Sequence, residues 1–142
     1  MFQHIMVPVD LAHMETLEPA LQVVADMARH YDATITYIGI TSNSPSSVAR
    51  TPEEYQQKLE AFARKRHAVH GRPVTARAYG STDPTANLDD LLVNAIEDVN
   101  ADLVIMATHL PRSLDAFIPA HGDAVAARAR TSIFLVRAQQ QS

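Results

Sequence analysis

Residues 101–122 read ADLVIMATHLPRSLDAFIPAHG. The first eight, ADLVIMAT, form a near-continuous apolar run, the pattern of a strand covered on both faces. Strands of that kind belong to parallel sheets with helices on either side, so this run decides the fold class. Between it and the small-residue stretch DAVAARA lie two histidines, an arginine, two prolines and one glycine. A strand-to-helix joint needs only a few residues. This one is either a binding loop or a long surface connection.

Working outward, the rest of the chain supplies the alternation that a parallel sheet requires. Residues 4–9 (HIMVPV) are a short, branched, apolar run ending at Asp10, a buried strand. Leu17, Ala20, Leu21, Val24, Met27, Ala28 and Tyr31 recur at helical spacing. Residues 33–40 (ATITYIGI) return to β-favouring types. After a loop, TSNSPSSVAR, the sequence Thr51-Pro52-Glu53-Glu54 reads as a capping box, with Thr51 at N-cap, Pro52 at N1 and Glu54 at N3. The helix it opens runs to about His70, and Gly71 can end it. Residues 73–79 (PVTARAY) form a more polar strand suited to a sheet edge, where the leading Pro73 is tolerated. Leu88, Leu91, Leu92, Ala95, Ile96 and Val99 mark a third amphipathic helix, residues 123–130 a fourth of small residues, and SIFLVR (132–137) a final strand.

The order β-α-β-α-β-α-β-α-β predicts an α/β fold with a five-stranded parallel sheet and helices on both faces. Right-handed crossovers leave few strand orders. The order 3-2-1-4-5 keeps the polar third strand at an edge. The chain then reverses direction between the first and fourth strands, and open α/β sheets bind ligands at the carboxyl ends of strands beside such a point. Asp10 ends the first strand and Thr108-His109 the fourth, so both polar clusters are expected at this crevice.

Composition narrows the function. The chain has 142 residues, read as one domain over 1–142, with 46% hydrophobic and 20% charged residues. It lacks cysteine, which excludes disulfides and thiolate chemistry. The formal net charge of −4 argues against nucleic acid as a partner. No apolar run reaches the ~20 residues of a membrane helix, and MFQHIMVPVD has no basic n-region or small-residue cleavage site. A cytoplasmic protein, not embedded in a membrane, is the expectation. No Walker lysine motif and no G-x-S-x-G elbow is present, so no catalytic residue is assigned; any hydrolysis would be slow and regulatory. His109 and His121 lack supporting carboxylates, so no metal site is assigned to them. His67 and His70, and the run Arg64-Lys65-Arg66, read as solvated surface.

HIMVPVD at the start, ITYIGIT at the second strand, NADLVIMATH at the fourth and SIFLVR at the end together resemble the universal stress protein family over essentially the whole chain. The TPEEYQQKLEAFARKR helix and the ATHLP junction look most like a subgroup of halophilic and marine bacteria, some of whose members regulate transporters of compatible solutes. The resemblance implies a Rossmann-like, adenine nucleotide alpha hydrolase-like fold. It also implies a stress-response protein that binds ATP, or ADP or AMP, with or without magnesium, and signals through a partner surface such as one facing a transporter.

In that family Asp10, with Pro8 and Val9 beside it, matches the carboxylate that meets the adenosine part. Gly39 and Ile40 match the second-strand positions that line the adenine pocket. The triphosphate would lie on Ala107, Thr108, His109, Leu110 and Arg112 and on Ala120, His121, Gly122, Asp123 and Ala124. Here the sequence departs from the family's G-x2-G-x9-G-[S/T] loop: Ala107 and Leu110 replace the first two glycines, and Ala120-His121 the final pair. Phosphate at a helix N-terminus needs converging backbone N–H groups. Gly122 supplies one permissive residue, Arg112 a fixed charge and His121 a side-chain donor. Asp123 opposes them unless magnesium intervenes. Asp10 also has a plainer reading, as the cap of the turn that follows it. The alternative function is a nucleotide-independent dimeric scaffold with a decayed phosphate loop. In either case SIFLVR is an apolar edge strand, expected to pair with a second copy in a homodimer, which in some family members assembles into a tetramer.

Overall fold

A computed structural model describes residues 1–42, 45, 48–81, 88–108 and 131–137. Five strands, β1 (His4–Val9), β2 (Thr34–Ser42), β3 (Val74–Ser81), β4 (Leu103–Thr108) and β5 (Ser132–Arg137), form one sheet. Its order is 3-2-1-4-5 and every pairing is parallel, as the alternation predicts. The described helices are α1 (Glu18–Tyr31), α2 (Pro52–His70) and α3 (Leu88–Val99), with a 3-10 helix over Leu11–Thr16. The expected fourth helix, 123–130, lies outside the described residues.

Right-handed crossovers put α1 and α2 on one face and α3 on the other. Ile5, Val7, Val9, Ile35, Tyr37, Leu103 and Ile105 point toward α1 and α2 and meet Leu21, Val24, Leu59 and Phe62. Met6, Ile38, Val104 and Met106 point the other way, against Leu92, Val93 and Ile96 of α3. Leu103 to Met106, four consecutive residues of β4, are therefore all buried, which is why LVIM has no alternation to show.

The helix ends follow local chemistry. The Thr51 hydroxyl accepts from the Glu54 backbone N–H at 3.1 Å, and the Glu54 carboxylate reaches back to the Arg50 N–H at 3.3 Å, one residue before the usual capping-box partner. Gly71 ends α2 in the left-handed region, φ 70°, and donates to the His67 carbonyl. Asp32 (φ 56°) and Asn100 (φ 55°) take the same conformation after α1 and α3, being among the few non-glycine types that tolerate it.

The helix expected on the Leu17–Tyr31 spacing forms as α1, and a 3-10 helix over Leu11–Thr16, capped by Asp10, precedes it unforeseen, with Pro19 in the first turn of α1. Two expectations need correction. Strand bounds shift by one or two residues, with β2 extending to Ser42 and β3 spanning Val74–Ser81 rather than 73–79. Arg64 and Lys65 are exposed, but Arg66 and His70 turn inward and bury ring or guanidinium nitrogen, so the basic run is not wholly solvated.

Two side chains finish the sheet where strands run out. Asp102, just before β4, accepts from the backbone N–H groups of Gln3 (2.8 Å) and His4 (3.1 Å), tying the start of β1 to β4. On the edge strand β3, the Gln56 amide of α2 donates to the Ala76 carbonyl at 2.9 Å and accepts from the Ala78 N–H at 2.6 Å. Gln56 thereby occupies backbone groups that an open edge would offer to another chain. Asp102→Ala leaves two backbone donors without their carboxylate and should cost roughly 1–3 kcal/mol. Urea unfolding measures this; a midpoint unchanged from wild type would mean that water replaces the carboxylate at no cost.

Candidate functional site

At the switch point the strand pairing changes. β1 and β2 stay in register through Val9↔Gly39, and β4 and β5 through Thr108↔Arg137. β1 and β4, by contrast, are in register only at Ile5↔Leu103 and Met6↔Val104. Pro8, which has no N–H to offer a ladder, stands two residues beyond the last of these pairs. The β1–β4 ladder thus stops short of the carboxyl ends of both strands, at the point where the chain reverses direction across the sheet. Pro8 is half-buried, Val9 faces the α1/α2 core, and Asp10 is exposed just after β1. Asp10 Oδ1 accepts from the Ala12 N–H at 2.9 Å, so the plainer reading holds too: this carboxylate caps the 3-10 helix.

Gly39 and Ile40 face opposite sides of the sheet. Ile40 packs, partly buried, with the α3 cluster. Gly39 faces α2, where the ring of Tyr55 lies against its Cα: a methyl built on Gly39 would overlap Tyr55 Cε1 and stand 3.2 Å from Leu59 Cδ2. Tyr55 is buried, and its phenol pKa is raised, chiefly by that burial, with a hydrogen bond from the Leu11 backbone opposing and the Asp10 charge adding to the rise. Tyr55 therefore spans from α2 across Gly39 to the Asp10–Leu11 turn. Sequence reading assigned it no role. The available signal was Gly39 itself, since a glycine inside a strand marks a close approach by something. Between the 3-10 helix and α2 a cavity of about 480 Å³ is lined by Leu11, Met14, Phe62, Lys58 and Lys65, among others.

On β4, Ala107 packs partly buried against the α1/α2 core and Thr108 closes the strand. His109, Leu110, Arg112, Ala120, His121, Gly122, Asp123 and Ala124 lie outside the described residues. Among the described residues no group of three or more His, Cys, Asp or Glu side chains could hold a metal ion. Nor is any described helix long and apolar enough to cross a membrane.

The sequence pattern of the universal stress protein family matches residues 1–137. The chain belongs to this family. Among solved structures, a universal stress protein in complex with cAMP superposes with a TM-score of 0.66 at 18% identity, covering 97% of this chain and 99% of its own. One from Archaeoglobus fulgidus in complex with dAMP gives 0.64 at 14%, covering 94% and 96%. A family protein from Arabidopsis thaliana with AMP bound gives 0.64 at 14%, covering 96% and 92%. No curated relative matches by sequence. At such identities these likenesses establish the fold that the family shares.

The Gly39–Tyr55 contact is testable as a pair. Gly39→Ala should destabilise by about 1–3 kcal/mol through overpacking, and much less in a Tyr55→Leu background. Purely additive costs in urea unfolding would mean that Tyr55 does not set the requirement for glycine.

Proposed function

We propose that this universal stress protein binds an adenine nucleotide at the carboxyl ends of β1 and β4 and that occupancy alters a surface read by a protein partner. The observation that carries the proposal is the topological switch point between those strands, where their ladder stops above Met6 and Val104 and the Asp10 carboxylate is exposed. Support comes from relatives of the same fold whose structures hold cAMP, dAMP and AMP. Asp10 contacts the adenosine part. Arg112, His121 and Gly122 take the phosphates, their side chains making up for the glycines that the loop lacks. ATP is the assigned ligand, with ADP or AMP as the other states of the signal and magnesium accompanying the triphosphate. The signal is regulatory, and a transporter is the class of partner that the subgroup resemblance favours.

Titration calorimetry on nucleotide-free protein with ATP, ADP and AMP tests this reading. Asp10→Ala removes the 3-10 cap as well as the charge, whereas Asp10→Asn keeps an acceptor for Ala12 N–H. Both should weaken binding at least tenfold, about 1.4 kcal/mol. Wild-type protein that binds none of the three would favour the scaffold reading, in which the Asp10 carboxylate is a structural cap and not a ligand contact.

A homodimer through β5 belongs to the same proposal. The two sheet edges differ: Gln56 occupies backbone groups on β3, while β5 presents Phe134 with 41% of its surface exposed. Antiparallel pairing of two β5 strands about a two-fold axis closes both edges with one self-complementary contact, and a tetramer needs a second surface. Phe134→Pro removes a backbone donor and should lower the sedimenting mass. Wild-type protein that sediments as a monomer at micromolar concentration would sink the dimer.

A further inference from the structure

The cavity of about 480 Å³ between the 3-10 helix and α2 is separate from the candidate nucleotide site: none of Pro8, Val9, Asp10, Gly39, Ile40 or Ala107 lines it. Helical spacing builds both of its walls. On α2, Lys58, Ala61, Phe62 and Lys65 follow at i, i+3, i+4 and i+7, one stripe with apolar groups between two cations. The lysines stand roughly 10 Å apart along the axis, at 1.5 Å per residue. In a 3-10 helix residues three apart eclipse, so Leu11 and Met14 fall on the same side and form the facing wall. Phe62 is buried, whereas Met14, an unbranched side chain that adapts to what it touches, is 41% exposed.

The two lysines differ. Lys58 Nζ donates to the Val48 carbonyl, and the Glu54 carboxylate lies 3.5 Å away, so its charge is answered within the chain. Lys65 is exposed, and no hydrogen bond or ion pair engages it among the described residues. Its own helix offers it no carboxylate. Glu60 accepts from the Gln56 amide at 2.9 Å, and residues 61–82 contain no Asp or Glu.

A lone exposed lysine is ordinary solvated surface. Lys65 instead stands at one end of a concavity whose size and lining, apolar walls with few polar groups, are those of small-molecule sites. The polarity of the cavity fixes what fits. An anionic head meets the unengaged cation at Lys65. An apolar body covers the walls between the lysines. A second anionic group at the far end would meet the Glu54 carboxylate, which favours a single charge. A bilayer is too flat to fill such a concavity.

We propose that this cavity binds a free monocarboxylic acid with an apolar tail. The carboxylate lies on Lys65, and the tail runs along Ala61 and Phe62 against Leu11 and Met14, ending short of Lys58. The site stands independently of the nucleotide reading, since no residue assigned to the nucleotide contributes to it.

The test uses nucleotide-free, full-length protein with isotope-labelled methionine methyls, titrated with sodium decanoate, decanol and disodium decanedioate. The Met14 methyl resonance, identified by its loss in Met14→Leu, reports on the cavity wall. Decanoate should shift it saturably and bind more tightly than the uncharged alcohol or the diacid. Lys65→Gln keeps the stem and removes the charge. It should weaken decanoate about three- to fivefold, the worth of one exposed ion pair, and leave decanol unchanged. Ala61→Phe fills the cavity and should abolish binding of both. The inference is overturned by no saturable shift in wild type, by equal affinity for decanoate and either control, or by unaltered decanoate binding in either variant. Two further measurements separate other occupants. Decanoate should leave the sedimenting mass unchanged; a fall in mass would mark the groove as a contact between copies and overturn the free-acid assignment. Wild type that pellets with phosphatidylglycerol vesicles, where Lys65→Gln does not, reads a membrane instead and overturns it as well.

Discussion

The central pair of strands carries two demands that conflict. β1 and β4 must bury side chains on both faces, because α1 and α2 cover one side and α3 the other. That burial calls for a continuous, well-paired sheet, since unpaired backbone in an apolar setting is costly. Yet their hydrogen-bonded register holds for only two residues. The conflict is met by where the ladder stops. Beyond Met6 and Val104, Pro8 has no donor to give a ladder, Val7, Val9, Ile105 and Met106 stay buried by packing, and Asp10 reaches the surface. At the other end, Asp102 binds the Gln3 and His4 amides and keeps the strands together. The β1–β4 ladder is therefore made at its base and absent toward its carboxyl ends, and the candidate site lies at that second end.

Much of this was legible in the residues. An unbroken apolar run gave β4, a capping box and a glycine gave both ends of α2, and the polar character of PVTARAY put β3 at an edge. Each is a local signal, set by neighbours within a few residues. The 3-10 helix escaped because six residues are too few to display a period, and Asp10 can cap a turn or serve a ligand with the same side chain. Tyr55 escaped for another reason. Its role is a contact with Gly39, sixteen positions earlier and on a different element, and only the packing of α2 on β2 creates it.

Arg66 shows how a charge run misleads. RKR suggests a solvated face, but a helix turns by 100° per residue, so three consecutive cations cannot share one face. Arg64 and Lys65 point out, while Arg66 falls on the stripe of Leu59, Phe62 and His70. Reading the run by period rather than by composition would have placed Arg66 inward.

Packing also links the two ends of the sheet. Tyr37 and Gly39 lie two residues apart on β2 and face the same side. Both are covered by α2: Gly39 by Tyr55 near its first turn, Tyr37 by Phe62 farther along. Tyr55 in turn meets the Asp10–Leu11 turn, and Gln56 holds the same helix to β3. From Tyr55 to His70 the helix axis spans roughly 22 Å at 1.5 Å per residue. A rigid helix anchored at so many points cannot slide along its axis without disturbing contacts at both ends. Whatever seats Phe62 against Tyr37 therefore also fixes how Tyr55 sits on Gly39 beside Asp10. The glycine matters here for a mechanical reason. With no Cβ between ring and strand, Tyr55 rests directly on the backbone, and the position of α2 is set by main-chain atoms rather than by a side chain that could rotate away.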